Sequence, residues 1–115
     1  MDIKIKRIYN KAEESDGTRV LVDRLWPRGM SKEEAKLDHW MKEIAPSTEL
    51  RKWYDHQVSR FGEFSKRYKK ELDANPDHIK KLLQQAKDKR LTLLFGAKDE
   101  EHNQAVVLKE FLESQ

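Results

Sequence analysis

A single α/β domain over residues 1–115, with a short, mostly parallel sheet flanked by about five helices, is the fold this sequence predicts. Three observations predict it. Val20-Leu21-Val22 and Leu91-Thr92-Leu93-Leu94-Phe95 are continuous apolar runs, short enough for strands and apolar enough to be covered on both faces. Segments with helical spacing follow each run, the pattern that sets helices against a parallel sheet. The 115-residue length suits one core and not two.

The elements follow in chain order. Ile3-Lys4-Ile5-Lys6 alternates strictly, which predicts a half-buried first strand with one face packed and the other wet or at an edge. Residues 10–18 are polar and end in Ser15-Asp16-Gly17, which reads as a loop. After the second strand, Ser31 and Glu34 fit a capping box. Leu37, Trp40, Met41 and Ile44 then make an apolar stripe, predicting a first helix that Pro46 ends and a core position for Trp40. Ser47 caps a second, shorter helix bearing Leu50, Trp53 and Tyr54, and Phe61, Phe64, Tyr68 and Leu72 define a third. Asn75-Pro76-Asp77 reads as an N-cap, a proline at the first helical position and a first-turn acid, opening a fourth helix with Ile79, Leu82, Leu83 and Ala86 inward. A strand over Leu91–Phe95 ends at Gly96. The last helix turns Ala105, Leu108, Phe111 and Leu112 to one side, and the remaining Lys and Glu residues, Glu71 among them, read as solvated helix faces.

Composition narrows the function classes. Charged residues make up 39% of the chain, against a usual ~25%, so the helices are strongly two-faced. The net charge of +3 mixes 24 basic with 21 acidic residues, which disfavours nucleic acid as a partner because its binders segregate Lys and Arg onto one face. With no cysteine, disulfides, thiolate metal sites and a thiol nucleophile are excluded. No apolar run approaches the ~20 residues of a membrane span, and the alternating N-terminus is unlike a signal peptide, so the expected compartment is the cytoplasm. His39, His56, His78 and His102 lack second ligands at helical or turn spacing, so no metal is expected. Neither is a cofactor, because no glycine-rich loop has the required spacing.

Several of these segments together, namely Val20 to Gly29, Ala45-Pro46-Ser47 with Leu50-Arg51-Lys52-Trp53, and Leu93-Leu94 with Ala97-Lys98-Asp99 and Asn103, resemble the YeaO-like family, a bacterial domain of unknown function. The resemblance covers nearly the whole chain; it implies an α/β fold and no particular activity. Broader relatives often open the last helix with Cys-His-Arg. Here the corresponding positions are Glu101, His102 and Asn103, so a thiol role does not carry over.

The candidate site lies where strands two and last end. Asp23 and Arg24 follow one, Lys98 and Asp99 the other, and parallel strands open on a common edge where α/β proteins bind ligands. Arg28 sits in a turn stiffened by Pro27 and opened by Gly29, and its guanidinium suits bidentate capture of carboxylate or phosphate. Trp26 either closes the core or lines the crevice; Arg51 and His56 flank Trp53, and Asn103 begins the last helix. The candidate ligand-binding set is therefore Arg24, Trp26, Arg28, Arg51, Lys98 and Asn103, with Asp23, Asp99 and His102 as candidate acid/base groups. A structural salt-bridge network, in which Asp23 fixes Arg24 or Arg28 and Asp99 caps the last helix, explains the same residues without a ligand. The expected function is binding of, or action on, a small phosphorylated or carboxylated metabolite. Whether turnover follows binding stays open, as do a nucleic-acid-associated accessory role and a non-catalytic interaction module, with a homodimer among the partners.

Overall fold

The most apolar run becomes the centre of the sheet. The computed structural model describes residues 2–87 and 89–115. Four strands, β1 (Ile3–Arg7), β2 (Thr18–Leu21), β3 (His39–Trp40) and β4 (Leu91–Phe95), form one parallel sheet in the order β1-β4-β2-β3. Buried along its whole length, β4 pairs Leu91 with Ile3 of β1 on one side and with Thr18 of β2 on the other. Alternation then divides the side chains between two faces. Val20, Val22, Leu91, Leu93 and Phe95 pack with Leu50, Phe64, Tyr68, Leu82 and Leu108 from α2 (Thr48–Tyr54), α3 (Phe61–Asp73), α4 (Pro76–Gln85) and α5 (Gln104–Glu113). The opposite face has a thinner cover. There Ile8, Leu21 and Leu94 meet Ala35 of α1 (Lys32–Ala35), with Trp26, Met30 and Leu37 packed against them.

The helix expected from Ser31 to Ile44 stops after one turn. Its capping box forms, with Glu34 N donating to Ser31 Oγ at 3.0 Å, but Lys36 takes a left-handed conformation (φ 46°) and ends α1. Asp38 explains the break. Its carboxylate accepts from Arg19 N at 2.8 Å and its own N–H donates to Arg19 O at 2.9 Å, which lays the chain alongside β2. His39 and Trp40 pair with Val20 and Leu21, and residues 42–44 close into a 3-10 turn. Pairing with an open strand edge satisfies the backbone groups that a longer helix would have used. Trp40 is therefore not core. It is 38% exposed, donates from Nε1 to Asp23 O at 2.8 Å and meets Trp26 edge to face at 5.3 Å.

Residues 10–18, expected as a polar loop, hold the most buried charge among the described residues. A 3-10 turn over Glu14–Asp16 delivers Asp16 beneath the thin face, where it is 0% exposed. Its carboxylate accepts from Lys4 Nζ at 3.0 Å, Lys6 Nζ at 3.1 Å, Arg19 Nη1 at 2.6 Å and Glu13 N at 3.0 Å. Thr92 Oγ1 donates to its backbone carbonyl at 2.6 Å. The next residue, Gly17, has φ +67°, and a Cβ there would lie 2.3 Å from Arg90 O. Gly17→Ala should therefore cost on the order of 3 kcal/mol, from backbone strain and the clash together. The urea unfolding midpoint checks it; a loss below about 0.5 kcal/mol, typical of surface substitutions, would refute it.

The remaining caps position the crevice. Ser47 Oγ accepts from Leu50 N at 3.1 Å, as expected of the α2 cap. Glu71, expected on a solvated face, instead accepts from Ser47 N at 2.8 Å and Ser47 Oγ at 2.7 Å, tying α3 to the start of α2. The side chain of Asn75 does not cap α4: it donates to Glu71 O at 2.8 Å, while Pro76 takes the first helical position. Asn103 caps α5, its Oδ1 accepting from Ala105 N at 2.9 Å and Val106 N at 3.2 Å. No helix among the described residues is long and apolar enough to cross a membrane.

Candidate functional site

The C-terminal ends of β2 and β4 open onto a crevice of about 310 Å³. Asp23, two residues beyond β2, sits at its base. One carboxylate oxygen accepts from Gly96 N at 2.8 Å, just past β4, and the other from Gln104 Nε2 at the start of α5. The fit at Gly96 is tight, since a Cβ there would lie 2.9 Å from Asp23 Oδ2. Burial pushes the Asp23 carboxyl up to about 6, against the lowering effects of the Gly96 and Gln104 hydrogen bonds and of His56.

Around this acid the wall is basic and aromatic. Arg24 is half-buried, its Nε donating to Pro46 O at 3.0 Å and its Nη2 to Ala45 O at 3.2 Å, so carbonyls hold the guanidinium without neutralising it. Arg28 and Arg51 line the crevice from exposed positions. None of the three arginines has a carboxylate within 4.0 Å among the described residues. Tyr9 and Trp26 complete the lining beside them. The Tyr9 hydroxyl donates to Arg28 O at 2.7 Å and the Trp26 indole to Met30 O at 2.6 Å, which fixes both rings.

His102 enters from the turn before α5. Its Nδ1 lies 3.0 Å from Asp99 Oδ2, and its ring stands edge-on to Phe61 at 5.1 Å. The N–H groups of Glu101 and His102, with the imidazole, hold the Asp99 carboxyl below its ordinary range. Tyr54 donates from its hydroxyl to His102 O at 2.8 Å, joining the end of α2 to this turn. Past that end, Asp55 and His56 are both left-handed, with φ of 47° and 54°, and the second of them lines the crevice.

Of the residues singled out from the sequence, the crevice gathers Asp23, Arg24, Trp26, Arg28, Arg51, His102 and Asn103. Lys98 is exposed and lies outside the lining; Asp99 reaches it only through His102. The alternative salt-bridge arrangement is not the one present, because Asp23 accepts from an amide and a backbone N–H and Asn103, not Asp99, caps α5. Asn103 commits both ends of its amide to that cap, with Nδ2 donating to Asp99 O at 2.9 Å. Gln104 is the residue that sequence reading missed. A glutamine one position after an N-cap carries no local signal, and only the meeting of β2 with α5 brings it to Asp23. No group of three or more His, Asp or Glu able to hold a metal ion occurs among the described residues.

A parallel α/β domain with one crevice across its strand ends is the class that fold and site define. Residues 2–115 match the family described as the inactive DUF488-N3 subclade, and the chain belongs to that family. It is 48% identical over 114 residues to the uncharacterized protein YeaO of Escherichia coli, covering 99% of each chain. It is also 49% identical over 70 residues to the uncharacterized proteins Rv3073c of Mycobacterium tuberculosis and Mb3100c of Mycobacterium bovis, which covers 61% of this chain and 59% of theirs. No solved structure matches the chain significantly.

Proposed function

We propose that this domain binds a small phosphorylated or carboxylated metabolite in the strand-end crevice. One observation carries the reading, the imbalance of charge around it. Arg24, Arg28 and Arg51 line the crevice without carboxylate partners among the described residues, while the acid inside it, Asp23, is half protonated at pH about 6. Guanidinium groups left unpaired around a concave site favour a bidentate anion. Binding without turnover is the form we favour: the family is described as inactive, and the chain holds no cysteine. His102, oriented by Asp99, is the acid/base group closest to hand if chemistry does occur. The cytoplasm, where phosphorylated metabolites are made and used, is the compartment this reading assigns.

Thermal unfolding with inorganic phosphate, pyrophosphate and citrate tests the proposal. An anion present at 100 times its Kd adds about 2.7 kcal/mol, seen as a Tm rise of roughly 10 °C. Arg28 and Arg51 are exposed, and their guanidinium groups have no hydrogen-bond partner among the described residues, so Arg28→Ala and Arg51→Ala should abolish this rise while shifting unliganded stability by less than about 0.5 kcal/mol. Equal stabilisation of the variants, or protection by any polyanion that salt removes, would instead favour the nucleic-acid reading.

A further inference from the structure

Resting on that reading, we propose that the anion is a nucleoside monophosphate, its base against Asp23 and Gln104 and its phosphate at Arg28 and Arg51. The crevice is graded in burial. Asp23 and Gln104 are half-buried in its lining, together with Arg24, whose guanidinium is held by carbonyls, whereas Arg28 and Arg51 are exposed. A bare anion has use for the arginines alone. The base presents hydrogen-bond acceptors: each Asp23 oxygen holds one N–H, and a carboxylate has about four acceptor sites, while Gln104 Oε1 receives no donor among the described residues. Such a floor suits a ligand whose far end carries N–H donors, as the edges of all four nucleobases do.

Two aromatic rings of the lining narrow the class further. With the Tyr9 hydroxyl and the Trp26 indole N–H already bonded to carbonyls, the Arg7 guanidinium 4.6 Å over the Tyr9 ring and Trp40 edge to face with Trp26, what these rings offer a ligand is the remaining apolar surface, held in place. Rigid aromatic surface suits a planar heterocycle, at stacking values of about 1–3 kcal/mol per base. A phosphosugar would satisfy the arginines but has only hydroxyls for the acceptors and no planar face for the rings. The volume of about 310 Å³ lies at the lower end of small-molecule sites.

Calorimetric titration with the four nucleoside monophosphates, ribose 5-phosphate and inorganic phosphate tests the assignment. At least one nucleotide should bind about tenfold or more tighter than ribose 5-phosphate, a ratio worth 1.4 kcal/mol. Asp23→Asn and, independently, Gln104→Ala should bring that ratio close to one without weakening ribose 5-phosphate. Equal affinity of nucleotides and ribose 5-phosphate for the unsubstituted protein would overturn this inference and leave anion binding standing. A nucleotide preference that survives both substitutions would overturn the placement of the base. Failure of all these compounds to bind would overturn the anion reading as well.

Discussion

Asp16→Ala is expected to lower the unfolding free energy by about 3–5 kcal/mol, the usual result of removing one partner from a buried ion cluster. Lys6 and Arg19, whose side chains are 8% and 6% exposed, would be left buried with their charges unanswered. Urea unfolding at pH 7 measures the effect. A loss under 1 kcal/mol would mean that water or Glu13, already 2.9 Å from Lys6 Nζ, takes over the role of Asp16. The same cluster sets a pH dependence. Burial alone would raise the Asp16 carboxyl, but the Glu13 N–H and the three cations outweigh it and hold the group far below the usual carboxylate range. A depressed carboxyl stabilises the fold above its unfolded value of about 3.9 and loses that contribution as pH falls further. Stability of the unsubstituted chain should therefore drop below about pH 4 more steeply than that of the alanine variant.

At Asp23 the sign reverses. Asp23→Asn should stabilise the protein at pH 7.5, by up to about 3 kcal/mol, because burial raises the native carboxyl to about 6 from its unfolded value near 3.9. An acid whose native value is raised contributes fully below the unfolded value, and that contribution is lost as pH climbs to the native value. The advantage of asparagine should be absent at pH 4, grow to pH 6 and stay level above it. Asparagine retains an oxygen for the Gly96 N–H, and the Gln104 amide can turn its own oxygen toward the new NH₂ group. Denaturant unfolding at pH 4, 5, 6 and 7.5 provides the check. An asparagine variant less stable at pH 7.5 would show that the ionised carboxylate earns its place structurally. A stabilised variant would mark Asp23 as a group kept at the cost of stability, as ligand-binding residues often are.

These two acids also show what the sequence reveals and what it hides. Strands β1, β2 and β4 were legible from alternation and apolar runs, and helices α2, α3 and α5 from caps and stripes, because those signals are local. The false helix over 31–44 had an equally good local signal. Leu37, Trp40, Met41 and Ile44 have helical spacing, yet Asp38 pairs with Arg19, nineteen residues earlier, and the free edge of β2 wins the backbone. Asp16 was hidden for the same reason. Ser15-Asp16-Gly17 is ordinary turn chemistry until Lys4, Lys6 and Arg19 are brought beneath one face of the sheet. The crevice was better exposed to sequence reading, since parallel strand ends share an edge whatever the loops do, and Asp23, Arg24 and Arg28 follow one of them directly. Lys98 fell outside because the turn after β4 carries it away, and Gln104 entered because the α5 cap brings the first helical residue over Asp23.

The end of α2 has a consequence of its own. Chains that leave a helix through left-handed conformations usually do so on glycine, which meets no Cβ penalty there. This chain does it twice in succession without one, at Asp55 and His56. Each such residue holds a conformation that costs roughly 1–2 kcal/mol in an L-amino acid. The sharp reversal returns an imidazole to the mouth of the crevice, where a glycine would have given an easier turn and an empty corner. Tension in the main chain is thus concentrated beside the pocket, and it holds the His56 ring in the same lining as Asp23, close enough to act on that carboxyl electrostatically.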